Sequence, residues 1–213
     1  MSRFADTNRL QLIIAVCALV TSAIAVFVAW DQARVLRAQQ HGAVYPVLQV
    51  DGFNSSDPNF REIGLRFSNS GVGPALIESI EIKRDGQKLA DLIEPFARLP
   101  GSPELSWNSM SGRAIAPGEV VEALRFSWPR DQITPEELSA AWNDWSSLTV
   151  STCYCSVFQR CWLMPDIGTS RAERVKSCAR SDLDLFSDLA ARRPEKVVEI
   201  PEPPAAPEPD EQE

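Results

Sequence analysis

Two kinds of site that short motifs usually reveal are lacking from this sequence. None of its five cysteines stands in a C-x2-C pair, and its 213 residues include one histidine. A zinc ribbon or knuckle uses such pairs because both sulfurs then reach one ion from a tight turn. A thioredoxin-like redox motif needs the same spacing. We therefore predict neither a metal site nor a cofactor.

A surplus of basic residues is also missing, since the net charge is −8. Residues 194–213 contain seven acidic residues and one lysine, which leaves a net charge of −2 for the rest of the chain. We therefore predict no nucleic-acid partner. The tail 194–213, "PEKVVEIPEPPAAPEPDEQE", has too little apolar surface to offset the entropy lost on ordering, and its composition predicts disorder.

No catalytic constellation stands out. The candidate acids are Asp51, Asp57, Glu81 and Asp85, and none stands in a recognisable paired setting. The one histidine, His41, lies in a predicted helical stalk, where we expect it to be solvated. We predict that the protein is not an enzyme, and the alternative is an unrecognised membrane-tethered enzyme.

The glycines of the segment 71–74, "GVGP", follow a predicted strand, as they would in a nucleotide-binding loop. The next segment is another strand instead of a helix, and Pro74 removes one amide donor. We therefore predict a tight connection in which the glycines adopt positive φ.

Residues 10–30, "LQLIIAVCALVTSAIAVFVAW", contain no charged residue. A helix of this length spans about 31 Å, the thickness of a bilayer hydrocarbon core. We predict a transmembrane helix that contacts the lipid bilayer, after a short cytoplasmic N-terminus (1–9) and before a helical stalk (31–42). A signal peptide cleaved after the small residues at 23–25 is the alternative, although the apolar run is long for one.

Residues 43–180 show short alternating runs of apolar and polar residues, separated by turn residues. About seven runs are present, as in an Ig-like sandwich. We therefore predict a mainly β domain, a seven-stranded antiparallel Ig-like sandwich with one inserted helix. The first strand is expected at 44–50, before a turn cluster, and 95–111 is expected to be a long loop. The side chains predicted to face inward are Ile63, Leu65, Phe67, Leu76, Ile80, Ile82, Val120, Leu124, Phe126, Trp128, Leu148, Val150, Thr152 and Tyr154.

The inserted helix begins after Thr134, a good N-cap, with Pro135 at its first position and Glu137 completing a capping box. Its apolar stripe consists of Leu138, Ala141, Trp142 and Trp145. A tryptophan stripe at this spacing could line a ligand groove, but we expect it to pack the helix onto a sheet.

The stretch "FSNSGVGPALIESIEI" (67–82) resembles a turn of uncharacterised bacterial single-pass membrane proteins, which carry a small β-sandwich outside the cytoplasm. The "PGE" turn at 117–119 and the late hairpin, "CYCSVFQRCW" (153–162), are similar to that group as well. The resemblance covers about residues 5–165, and it implies no agreed biochemical activity. At the hairpin bend, where that pattern has glycine, this sequence has Gln159.

Four cysteines follow the predicted membrane helix: Cys153, Cys155, Cys161 and Cys178. Cys153 and Cys155 point to the same face of a strand because they are two residues apart. If the bend centres on Phe158, Cys155 lies opposite Cys161, at a distance that a twisted hairpin can close. Cys178 could then meet Cys153. Three connectivities remain open, and free thiols or a metal site are the alternatives.

Disulfides persist in oxidising compartments. If they form here, the domain after the membrane helix lies outside the cytoplasm, in the periplasm of a Gram-negative host. We therefore expect a single-pass protein of the bacterial inner membrane, whose non-enzymatic domain binds or scaffolds an envelope protein partner. The alternative is a cytoplasm-facing thiol or zinc-binding module on a membrane anchor.

The segment 181–193, "SDLDLFSDLAARR", predicts a short helix. We expect Ser181 to be its N-cap and Leu185, Phe186 and Leu189 to form its apolar side.

Overall fold

The computed structural model of the protein describes residues 2–168, 171–181 and 183–192. These residues form four α-helices and ten β-strands. The helices are α1 (Ser2–Ala43), α2 (Ile93–Ala97), α3 (Pro135–Ser146) and α4 (Leu185–Arg192). The strands are β1 (Leu48–Ser56), β2 (Phe60–Asn69), β3 (Ala75–Arg84), β4 (Gln87–Lys88), β5 (Glu104–Trp107), β6 (Ala114–Ile115), β7 (Val120–Pro129), β8 (Thr149–Cys155), β9 (Cys161–Met164) and β10 (Glu173–Val175). The predicted disordered tail, 194–213, lies outside the described residues.

Helix α1 joins the predicted membrane segment and the predicted stalk in one continuous element of 42 residues. Its part Gln11–Ala43 has a mean hydropathy of 2.8 over an 18-residue window, and by length and composition it is apolar enough to cross a membrane. Inside this apolar run, the Thr21 hydroxyl donates to the carbonyl oxygen of Cys17 at 2.9 Å. A polar side chain is thereby satisfied within the helix itself.

The strands pair in two antiparallel sheets. The first has the order β1-β2-β7-β5, and the second has the order β10-β9-β8-β3-β4, with β6 also paired to β3. The described residues thus contain ten strands where the sequence predicted about seven. Three of the ten, β4, β6 and β10, have only two or three residues. Such strands are too short for alternation to reveal them.

One continuous hydrophobic core contains the inward side chains of both sheets. On β2, Ile63, Leu65 and Phe67 are buried as predicted. Leu148, just before β8, and the predicted residues of β8, Val150, Thr152 and Tyr154, are at most 4% exposed, although the other face of β8 is buried as well. The indole N–H of Trp128, also buried in this core, donates to the carbonyl oxygen of Pro100 at 2.8 Å.

A β-bulge in β3 overturns the predicted orientation of Leu76. Ile77 pairs with Tyr154 and Ser79 pairs with Cys153, so Glu78 is an extra residue in the register. Such a residue reverses which alternate side chains face the core. Ala75 and Ile77 are therefore buried before the bulge, and Leu76 is only partly buried. Beyond the bulge, Ile80 and Ile82 face inward as predicted.

A second bulge, in β7, overturns the predicted orientation of Val120. Arg66 pairs with Glu122 and Leu65 pairs with Leu124, which leaves Ala123 unpaired. Val120, before the bulge, is 58% exposed. After the bulge the prediction holds, because Leu124 and the two aromatic side chains that follow at alternate positions are buried.

Two predicted boundaries also differ from the structure. β1 begins at Leu48 and continues to Ser56, through the predicted turn cluster, and the chain reverses later. The carboxylate of Asp57 makes that reversal, since it accepts hydrogen bonds of 2.7 Å from the backbone N–H groups of Asn59 and Phe60. The predicted long loop 95–111 contains the end of α2 and the whole of β5.

The glycine turn contacts the linker between α1 and β1. Gly71 and Gly73 are not among the residues with positive φ, so the prediction that these glycines adopt positive φ is wrong. A Cβ atom on Gly73 would overlap the backbone of Val44, and one on Gly71 would overlap that of Tyr45. The N–H of Val72 donates to the carbonyl oxygen of Tyr45 at 3.0 Å. These glycines therefore allow two backbone segments to touch.

Asp184, and not Ser181, caps α4. One carboxylate oxygen of Asp184 accepts hydrogen bonds from the N–H groups of Phe186 (3.1 Å) and Ser187 (2.9 Å). The other accepts from the N–H groups of Met110 (2.5 Å) and Ser111 (2.8 Å), in the chain before β6. One side chain thus starts the helix and attaches it to the β-domain. The predicted apolar side of α4 is confirmed, as its three members are buried: Leu185, Phe186 and Leu189.

The close contact at Gly73 predicts a stability effect. We expect Gly73→Ala to lower the free energy of unfolding by about 2 kcal/mol, because the methyl group forces the linker off the turn. Gly42→Ala is the matched control, since a Cβ there would meet nothing within 4 Å. Urea unfolding of both full-length variants measures the difference, and equal stabilities would contradict the contact.

Asp184 predicts a pH-dependent effect. Partial burial acts to raise the pKa of Asp184, but hydrogen bonds from Ser187, Ser111, Met110 and Ser109 outweigh burial and lower that pKa. Because the folded-state pKa is lowered, the stabilisation is present above the ordinary pKa and is lost as pH falls through the lowered one.

We expect Asp184→Asn to lower the free energy of unfolding by about 2 kcal/mol at pH 7, because the amide nitrogen cannot accept these hydrogen bonds. The gap to the natural chain should close as the pH falls below about 4. Unfolding curves between pH 3 and 7 measure the gap. Asp188→Asn, on the same helix, makes the same charge change and should show a smaller gap, since its carboxylate pairs with the exposed Arg192.

Candidate functional site

The four cysteines of the β-domain converge at one end of β8. Cys155 and Cys161 face each other across the β8–β9 hairpin, with Cα atoms 4.0 Å apart and sulfurs 2.06 Å apart. The sulfurs of Cys153 and Cys178 lie 2.04 Å apart, which brings the segment after β10 onto the same strand. Of the three connectivities open to the sequence, the structure has this one.

The two pairs are neighbours. The sulfur of Cys155 lies 3.7 Å from that of Cys178, a member of the other pair. Cys153, Cys155 and Cys161 are buried, and Cys178 is partly exposed. The remaining cysteine, Cys17, is exposed on α1 and bonds to no other cysteine.

Such a cluster has a second chemical use. The sulfurs of Cys155, Cys161 and Cys178 lie within 4.8 Å of one another, close enough to hold one metal ion. A zinc ion binds thiolates, so a sulfur in a disulfide is not available to it. Disulfides and a zinc site are therefore exclusive states of the same four side chains, and the redox state of the compartment selects between them.

The hairpin that carries two of these cysteines closes through Gln159. This residue adopts a φ of 57°, in the left-handed region where the resembling pattern has glycine. A non-glycine residue in that region costs about 1 kcal/mol. The bend is held by hydrogen bonds between Ser156 and Arg160 (2.8 Å) and between Gln159 and Ser156 (2.9 Å). The predicted hairpin bend therefore forms with Gln159 at the position where the resembling pattern has glycine.

His41 contacts this hairpin. Its ring lies 5.3 Å from the ring of Phe158, edge to face, and the histidine is partly buried. The sequence predicts a solvated stalk residue, whereas in the structure α1 ends beside the β8–β9 bend. This contact gives His41 a packing role.

The candidate acids lie in structural settings of their own. Asp57 caps a turn, and hydrogen bonds from the backbone of Phe60 and Asn59 lower its pKa. Glu81 accepts a hydrogen bond of 2.7 Å from Lys88, which lowers the pKa of Glu81. Asp85 has a φ of 51° in the turn between β3 and β4. The lowered pKa values leave Asp57 and Glu81 ionised at neutral pH, which suits pairing better than proton transfer.

The fourth candidate acid, Asp51, lines a cavity of about 340 Å³ between the two sheets and α3. Its walls include buried side chains of both sheets, among them Leu65 and Val150, and Phe186 from α4. The sequence did not predict this cavity, because its walls come from segments that are distant in the sequence.

The apolar stripe of α3 packs the helix onto the core, as predicted. The capping box forms as expected, and Leu138 and Ala141 pack the helix onto the core. Trp142 and Trp145 are only partly buried, and both line the cavity. All four residues of the stripe thus pack against the core, and the two tryptophans also form part of a concave surface.

Comparison with known proteins adds no assignment. No protein-family model matches the chain, and no curated protein or solved structure is significantly similar to it. The class of protein is therefore described from the molecule itself: a mainly β domain, with its four cysteines paired, that follows one long apolar helix.

The two cysteine pairs predict unequal contributions to stability. A cross-link stabilises by restricting the unfolded chain, and more so for a longer loop. The pairs have sequence separations of 25 and 6 residues. We expect Cys153→Ala with Cys178→Ala to cost about 3 kcal/mol, and Cys155→Ala with Cys161→Ala about 2 kcal/mol.

Urea unfolding of the full chain without reductant measures both losses. Cys17→Ala is the control and should leave stability unchanged, since Cys17 is exposed on α1. A natural chain whose stability does not respond to reductant would contradict the cross-links.

Proposed function

We propose that the chain is a non-enzymatic, membrane-anchored protein whose β-domain binds or scaffolds an envelope protein outside the cytoplasm. The convergence of four cysteines into two bonded pairs carries the proposal, because such pairs persist in an oxidising space. In a bacterium, the domain then stands in the periplasm, on a helix held in the inner membrane.

The anchor is supported by the surface of α1. None of its large apolar side chains between Leu12 and Trp30 is buried by the described part of the domain. A continuous apolar surface of this length is unfavourable in water and matches a bilayer core. Two arginines stand on each side of the apolar run, so the flanking charges do not set the orientation of a retained helix in the membrane. The argument for the side of the membrane on which the β-domain lies therefore comes from the cysteines.

An Ig-like sandwich is the form that we propose for the domain. Two antiparallel sheets share one core, and seven of the ten strands have four or more residues. The resemblance to anchored envelope proteins points in the same direction. In such domains the sheets provide a rigid frame and the surface provides the binding site.

A binding role is favoured over an enzymatic one by the settings of the acids. The pKa values of Asp57 and Glu81 are lowered by fixed partners, as expected for structural carboxylates. The described part of the chain brings no histidine to a carboxylate, since His41 packs on Phe158. A pocket without a nucleophile–base pair suits recognition better than covalent catalysis.

The alternative is a cytoplasm-facing zinc-binding module, and the proximity of Cys155, Cys161 and Cys178 favours it as the second candidate. Metal analysis separates the two, because protein purified from membranes should contain less than a tenth of an equivalent of zinc under our proposal. Stoichiometric zinc would replace the first proposal with the second.

Topology is tested by fusing alkaline phosphatase, or a green fluorescent protein, to the C-terminus of the full chain. We expect phosphatase activity without fluorescence, and membrane-bound protein of unreduced length. Deleting residues 2–43 should reverse the reporter pattern. A fluorescent full-length fusion would contradict the proposed side, and a shortened, released product would establish the signal-peptide alternative.

The partner is tested by crosslinking in intact cells, followed by capture of the full chain. We expect a defined envelope protein that a control with α1 fused to an unrelated domain does not recover. Failure to recover any such protein under several growth conditions would count against a binding role.

A further inference from the structure

The cavity between the sheets has the form of a small-molecule site. Its floor consists of buried apolar side chains from both sheets, and the partly exposed Trp142 stands at its side. Trp142 packs so closely over Gly52 that a Cβ there would lie 2.8 Å from the indole ring. Its volume of about 340 Å³ lies within the usual range for ligand pockets, about 300–1,000 Å³.

One polar group in the wall of the cavity lacks a partner. Trp145 lines the cavity, and its ring packs edge to face against Phe126 with centroids 4.7 Å apart. No described residue accepts a hydrogen bond from its indole Nε1–H, and neighbouring atoms cover that nitrogen, so pairing with a ligand requires the indole ring to turn toward the cavity. A buried donor without an acceptor is costly. By contrast, the indole of Trp128 has its acceptor in the same core.

The charges on the wall restrict the ligand. Among the described residues, Asp51 and Asp166 are the ionisable ones that line the cavity, and both are partly exposed. Two carboxylates beside an apolar space repel an anion. The apolar side chains that form the floor favour an uncharged body, because a cation would lose its water there.

We propose that this cavity binds a small uncharged molecule with an apolar body and one hydrogen-bond acceptor, which pairs with the indole N–H of Trp145 when that ring turns toward the cavity. A dry apolar cavity of about 150 Å³ holds one benzene ring, so this space suits a body of about two fused rings or a comparable aliphatic chain. The site lies in the interior of the domain, and the inference holds whichever side of the membrane the domain occupies.

The test uses three probes of one size with the full chain in lipid nanodiscs. 2-Acetylnaphthalene carries the acceptor, 2-isopropenylnaphthalene has the same shape without it, and 2-naphthoate is anionic. The measured signal is the indole ¹H–¹⁵N resonance of Trp145, which Trp145→Phe assigns by removing it. We expect saturable binding of 2-acetylnaphthalene, about tenfold tighter than its hydrocarbon analogue. We expect 2-naphthoate to bind at least tenfold more weakly than the ketone.

Three variants locate the site. Val150→Phe fills the cavity and should abolish binding of both neutral probes, whereas Val120→Phe makes the same substitution on an exposed side chain and should not affect binding. Trp145→Phe keeps an aromatic wall without the N–H, so the two neutral probes should bind it equally, as followed by probe fluorescence. Absence of saturable binding, equal binding of the neutral pair to the natural chain, or binding that survives Val150→Phe would overturn the proposal.

Discussion

The four sulfur atoms of Cys153, Cys155, Cys161 and Cys178 meet at one end of β8, and this meeting organises the C-terminal third of the molecule. One pair closes the β8–β9 hairpin, and the other ties the segment after β10 to the same strand. That segment leads into α4, whose Phe186 contributes to the wall of the cavity. The bond between Cys153 and Cys178 thus helps to position a wall of the cavity, although no cysteine lines that cavity.

Features set by neighbouring residues could be read from the sequence. The capping box of α3 and the alternation of β2 depend on residues a few positions apart, and the structure has them as expected. A bend at Phe158 likewise predicted that Cys155 lies opposite Cys161, although the sequence left three connectivities open. The long apolar helix needed only composition.

Features set by distant partners could not be read in this way. The bulges at Glu78 and Ala123 exist because of the strands they pair with, and each reverses the faces that simple alternation assigns to Leu76 and Val120. Asp184 bonds to residues more than seventy positions away. The unpaired N–H of Trp145 and the cavity beside it likewise arise only when the two sheets and α3 come together.

The central claim is that the cysteines are oxidised in the cell, and mass mapping of the native protein tests it most directly. Thiols are alkylated while the cells are dissolved in a denaturing detergent without reductant, so that Cys17 in the membrane helix also reacts, and the full chain is then isolated. Chymotrypsin separates Cys153 from Cys155 by cutting after Tyr154. We predict two linked peptide pairs, Cys153 with Cys178 and Cys155 with Cys161, and an alkylated Cys17. Alkylation of all five cysteines would contradict the account.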